Sequence, residues 1–205
     1  MTEITAPSLR RLMENDPTLD EVRVSSNYFF DVANEGGFLN SVPSIAYVFP
    51  RGAMGWKMAG EIIGNNNSIC ALAIRVAEID GGMKNLEAFF NGVNRNNSID
   101  RISFSGWDMG GGAPFLFMAS LLENNSNLTV LTVKGSPLGN DGVRLLASAL
   151  SSTHRLESIS INSCSIENGE PFEELVAALN INRVGHDPTL NCLDLCWNNI
   201  GRNGC

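Results

Sequence analysis

Long hydrophobic runs are absent: no stretch approaches the roughly 18 uninterrupted apolar residues that a membrane helix needs. The first residues, MTEITAPSLRRLMEND, have no apolar core behind a basic start. No secretory signal is therefore expected, and Glu3 argues against a transit peptide. Basic residues are outnumbered, 14 Lys and Arg against 22 Asp and Glu, for a net charge of −8. An overall basic footprint for nucleic acid is therefore missing. Cysteine occurs five times, an odd number that forms no dense framework. The expected setting is a reducing one, cytoplasmic or nuclear. Apolar residues make up 43% of the 205, enough to bury a core, which excludes wholesale disorder. At roughly 100–200 residues per domain, the length fits one domain or two small ones.

Asparagine, by contrast, is abundant. It fills 24 positions and clusters in similar phrases: GNNNS (64–68), RNNS (95–98), ENNSN (123–127) and CWNN (196–199). Recurring phrases call for a repeat search. Seven segments share the pattern apolar-x-x-apolar-x-apolar. They are LDEVRV (19–24), VPSIAY (42–47), ICALAI (69–74), IDRISF (99–104), LTVLTV (128–133), LESISI (156–161) and LNCLDL (190–195). VPSIAY is the weakest copy. Their first residues are spaced by 23, 27, 30, 29, 28 and 34 residues. The ninth position of a unit holds Asn27, Ser136, Cys164 or Asn198, and the eleventh holds Phe29, Ile79, Met109, Leu138, Ile166 or Ile200. Pro50, Ala77 and Trp107 break the ninth-position pattern and predict less regular turns.

This pattern resembles the leucine-rich repeat, whose period is about 20–29 residues. The physics suits the residues. The middle of each copy alternates at period two, so its apolar residues share one side of a short strand. The ninth residue sits where the strand ends, and its side chain must satisfy backbone groups freed by the turn.

Helix-period segments fill the gaps: 7–15, 56–67, 83–96, 114–125, 141–152 and 171–182. Pro114 and Pro171 suit a first helical turn, and Asn140 or Asp141 suits an N-cap. Units of 28–29 residues with a full helix resemble the ribonuclease-inhibitor subtype, as in NOD-like receptors and Ran GTPase-activating proteins. The resemblance covers about residues 8–205. It implies an α/β solenoid in a horseshoe arc, with a parallel concave sheet and convex helices. Residues 1–18 are then a capping helix and lead-in. Residues 19–205 are about seven repeats, with strands starting near 19, 42, 69, 99, 128, 156 and 190. Gly204 aligns with Gly142, so the last unit stops where its helix should begin. A fragment of a longer protein is the expectation.

In this template, positions three, five and seven of each unit face solvent on the concave side. That surface is rich in small residues, and its charges favour basic over acidic. Arg75, Arg101 and Lys134 lie on three consecutive units, where strands about 5 Å apart would align them to attract an acidic segment. Asn162 and Asp194 occupy the same face, and Trp197 sits at its rim as a candidate anchor. Trp107 is expected to pack into its turn, and Trp56 into the core or the convex surface.

Other features point to structure alone. Cys192 and Cys196 are separated by four strand residues, roughly 13 Å, too far for a disulfide that needs Cα atoms within about 7 Å. Cys70 and Cys164 read as strand and turn residues. His154 and His186 lie in loops where nothing completes a metal set. The run GWDMGGGAP (106–114) lacks the Lys-Ser/Thr of a phosphate loop and reads as a turn. Sequons at Asn66, Asn96, Asn124 and Asn127 read as by-products of the repeat loop.

No catalytic constellation, cofactor site or metal site stands out, so none is expected, nor a small-molecule substrate, nucleic acid or membrane. The leading expectation is a non-enzymatic module that holds a protein partner on the concave face. One alternative is a GTPase-activating protein of the Ran type, with Arg51 of FPRGAMG as its loop arginine. Another is the sensor arm of a NOD-like receptor.

Overall fold

The computed structural model describes residues 6–25, 45–48, 50, 52–75, 82–107, 113–152, 155–184 and 190–201. Parallel β-strands alternate with α-helices, the α/β repeat that the spacing implies. The elements are α1 (Ala6–Met13), β1 (Glu21–Ser25), β2 (Ile45–Val48), α2 (Gly52–Asn65), β3 (Ala71–Arg75), α3 (Gly82–Val93) and β4 (Arg101–Ser105). They continue as α4 (Ala113–Asn124), β5 (Val130–Lys134), α5 (Gly139–Ser151), β6 (Ser158–Asn162), α6 (Glu170–Val184) and β7 (Cys192–Asp194). The chain forms two compact units, Met1–Ile102 and Ser103–Cys205.

Most strands begin two residues after the template's first apolar position. That residue is buried in the loop ahead of the strand: Leu19, Ile69, Ile99, Leu128 and Leu156 are each 0% exposed. The next two apolar positions point the same way. Leu72 and Ile74, Leu131 and Val133, and Ile159 and Ile161 are all buried. Each such side chain contributes roughly 1.5–3 kcal/mol by leaving water.

In the first unit the strand order is β2-β1-β3, all parallel. This corrects the expectation of strands stacked in chain order. β1 lies between β2 and β3, so the segment from 42 is no repeat inserted between its neighbours. Its register differs as well. Val22 is level with Ala46 and Val24 with Val48, where the template had placed Ile45 and Tyr47. A one-residue offset exchanges the two faces of a strand. The segment departs from the pattern at VPS, and Pro43 cannot donate to a ladder.

Helices α2 and α3 touch backbone to backbone. A Cβ on Gly60 would overlap Phe89 O, one on Gly64 would overlap Gly92 O, and one on Gly92 would overlap Gly60. Trp56 packs edge-on against Phe89 with ring centroids 5.6 Å apart, and Phe89 against Phe90 at 5.2 Å. Trp56 therefore belongs to the core.

In the second unit β5, β6 and β7 are parallel neighbours in that order. Pro114 and Pro171 fall in the first turns of α4 and α6, as expected. The N-cap of α5 is corrected: it is Leu138, with no side-chain cap, and Asp141 lies inside the first turn. Trp107 fills its turn, 1% exposed, edge-on to Phe104 at 5.1 Å. At the far edge burial fails. Leu193 is 47% exposed, although its partner in register, Ile159, is 0% exposed.

Candidate functional site

Two polar ladders hold the loops at the ends of the strands. The first lies where each helix returns to a strand. Three residues before the first apolar position stands Asn66, Asn96 or Asn125, all buried. Asn66 Oδ1 accepts from Ser68 N and Ile69 N, at 2.8 and 2.9 Å, and Asn66 Nδ2 donates to Leu12 O at 2.7 Å. Asn96 repeats the arrangement with Ser98 N, Ile99 N and Ile63 O, and also donates to Asn66 O at 2.7 Å. Asp16 holds the matching place ahead of Leu19. Its Oδ1 accepts from Thr18 N, while its Oδ2 takes Arg11 Nε at 2.6 Å. The hydrogen bonds from Arg11 and Thr18 lower its pKa to about 2.

The second ladder is the ninth-position one. Trp107 N donates to Ser136 Oγ at 3.0 Å, and Cys164 N and Ile166 N donate to Asn198 Oδ1. Asn198 Nδ2 reaches Ile161 O at 2.6 Å and Leu195 O at 2.9 Å. Cys164 Sγ donates to Asn162 O at 3.2 Å and Val133 O at 3.5 Å, so Ser136, Cys164 and Asn198 all do what their position demands. Asn27 and Ala77 lie outside the described residues.

The strand face that the template exposes is partly covered in the first unit. Glu21 is 0% exposed and carries Arg23 Nε on Oε1 at 2.7 Å. Burial pushes the Glu21 carboxyl up, against the pull of Arg23. Ala71 is buried too. This corrects the expectation of a continuous solvent face. Further along, Arg75 is exposed at the end of β3. Arg101 is half-buried and committed: its Nε pairs with Asp100 at 3.1 Å, and its Nη2 donates to Cys70 Sγ at 2.6 Å.

In the second unit the face is open to half-open. Lys134 is exposed, and Asn162 is half-buried. Asn162 Nδ2 donates to Asp194 Oδ2 at 2.8 Å and to Ser160 Oγ at 2.9 Å. Ser160 Oγ donates to Asp194 Oδ2 at 3.4 Å, and Cys196 N to Asp194 Oδ1 at 3.0 Å. Hydrogen bonds from Cys196 and Asn162 lower the pKa of Asp194, and Asp194 in turn raises that of Cys196. Trp197 is 86% exposed. Asn162, Asp194 and Trp197 therefore share one edge of the second unit, whereas Arg75 and Arg101 belong to the first.

Cys70, Cys164, Cys192 and Cys196 are free thiols, so the Cys192–Cys196 pair forms no disulfide. Arg51, His154 and His186 lie outside the described residues. Among the described residues no His, Cys, Asp and Glu grouping fits a metal ion, and no helix is long and apolar enough to cross a membrane.

Sequence reasoning missed the role of Asn66, Asn96 and Asn125, although the signal was there: three of the seven copies carry an asparagine three residues before the first apolar position. It also missed the glycine contact, which Gly-x-x-x-Gly in α2 signals.

No family model matches the chain, and no curated protein matches it. A solved structure of the tropomodulin C-terminal domain from Caenorhabditis elegans is similar, with 15% identity, a TM-score of 0.49, and coverage of 88% of this chain and 93% of that one.

Proposed function

We propose that the chain is a protein-binding module without catalytic activity, of the ribonuclease-inhibitor-like repeat class. Its partner would lie on the strand faces, with Arg75 and Arg101 contributed by the first unit and Lys134, Asn162, Asp194 and Trp197 by the second. The observation that supports this most is the open strand face of the second unit. Thr132, Ser158, Ser160 and Asn162 are small polar residues left half-buried, while every alternate residue of the same strands is buried. A partner's backbone can approach such a surface closely. Free, exposed Cys192 and Cys196 fit a reducing compartment such as the cytosol.

The test is site-directed photo-crosslinking. A crosslinker at Thr132 or Ser160 should capture a discrete partner, and one at Lys84 on α3 should not. Replacing Arg75, Arg101 and Lys134 by Glu should reduce capture. Equal capture from the helix side would overturn the strand-face reading.

A further inference from the structure

Four repeats share one backbone conformation at their eighth position. Gly106, Gly135, Ser163 and Trp197 have φ of 69°, 58°, 55° and 60°. Glycine adopts this left-handed region freely, and serine is small, but a bulky side chain there is a genuine outlier. Trp197 adds little to the fold in return, for it is 86% exposed. Its indole is held in a strained position and pointed into water. Strain of this kind is costly and clusters at functional sites.

Among the described residues, the charges nearest to it along the turn are acidic. Asp194, three residues earlier, is oriented by Asn162, Ser160 and the Cys196 amide. Glu167 flanks the same turn, bridged by backbone to Asn199 and accepting from Asn199 Nδ2 at 3.4 Å. Residues 103–205 hold ten acidic and five basic residues. Among the described strand residues of the second unit the cation is Lys134, two strands away, roughly 10 Å across the sheet. An exposed indole three residues along the chain from a fixed carboxylate offers a guanidinium or ammonium a π-face and a charge-assisted hydrogen bond.

We propose that Trp197 and Asp194 form a receptor for a cationic side chain, arginine or lysine, presented by a partner protein segment. At most about 10 Å of extended chain separates their Cα atoms, a gap that a long cationic side chain spans while its stem lies on the indole. The proposal rests on the strand-face reading above and gives that face the chemistry of its partner at one edge.

The test uses the full chain, isotope-labelled, with three short blocked peptides: Gly-Ser-Arg-Ser-Gly, the same peptide with citrulline for arginine, and one with glutamate. The arginine peptide should shift the Trp197 indole and Cys196 amide signals, and citrulline should bind about tenfold more weakly. Asp194→Asn should weaken the arginine peptide. Trp197→Gly should abolish its binding while raising the thermal midpoint, because glycine removes the strain. Equal response to arginine and citrulline would overturn the proposal. So would a lowered midpoint in Trp197→Gly, which would make the indole structural. So would a dimer at micromolar concentration with Trp197 emission shifted to the blue, which would make a second copy the occupant. If the glutamate peptide shifts Lys134 while arginine leaves Trp197 unmoved, the cationic receptor fails alone. If no peptide shifts any strand-face signal, the strand-face reading fails with it.

Discussion

The side-chain amide of Asn96 donates to the backbone carbonyl of Asn66 at 2.7 Å, tying one helix-to-strand loop to the one before it. The same amide reaches Ile63 O, and its oxygen accepts from Ser98 N and Ile99 N. Asn96→Ala takes one partner from each of these four backbone groups, leaving Ile63 O with Asn66 N and Asn66 O with the more distant Ser98 Oγ. We expect a loss of about 3 kcal/mol or more. Asn96→Asp should fare no better, since it keeps the acceptor but turns a carboxylate toward two carbonyls. Urea denaturation of each variant checks this, and a loss below about 1 kcal/mol would show that water replaces the amide.

Gly64→Ala should destabilise the first unit. Alanine gains about 1 kcal/mol of helix propensity over glycine, so in an exposed helix the change would help. Here its Cβ would lie 2.8 Å from the Gly92 carbonyl carbon. Forcing α2 and α3 apart costs about 1–3 kcal/mol, set against the propensity gain of about 1 kcal/mol, for a net loss of up to about 2 kcal/mol. A higher thermal midpoint in Gly64→Ala would refute the backbone contact.

Acid should weaken the loop at Asp16 in a defined window. Its carboxyl falls from 3.8 to about 2 through the hydrogen bonds from Arg11 and Thr18. A depressed carboxylate contributes stability above its unfolded pKa and loses it as pH falls through the folded one. The contribution is therefore lost between about pH 4 and pH 2. Carbon-detected NMR titration of Asp16 should give a midpoint near 2, and a midpoint at 3.8 would refute the Arg11 contact. Glu21 runs the other way: burial raises its pKa, so its cost grows as pH rises through its ordinary value.

Thiol labelling should be ordered. Cys192 and Cys196 are both exposed, but hydrogen bonding to Asp194 disfavours the Cys196 thiolate. Iodoacetamide at pH 8 should modify Cys192 before Cys196. Cys164, buried and with its pKa raised by burial, should react only on unfolding. Asp194→Asn should accelerate Cys196 alone, and an unchanged rate would disconnect the pair.

The repeat was legible because its signal is local. Leu131, Val133, Ile159 and Ile161 declare their side of the strand by period two, and burial follows. Ser136, Cys164 and Asn198 declare the turn by type and offset. The order β2-β1-β3 was not legible, because strand pairing is a contact between distant segments that period two cannot specify. The strain at Trp197 was hidden for a related reason. Its position in the template was readable, but its exposure depends on what else covers that edge.

The sequence by itself determined the unit: a strand, a turn and a helix, with their apolar residues in phase. Hydrophobic period and turn chemistry act within about a dozen residues, so one copy suffices to read them. Tertiary structure decided the rest. It placed β1 between β2 and β3, buried Glu21 on a face expected to be wet, and joined α2 to α3 through Gly60, Gly64 and Gly92. It also left Leu193 and Trp197 in water. Each of these follows from which surfaces meet, a matter of three-dimensional proximity that spacing along the chain does not encode.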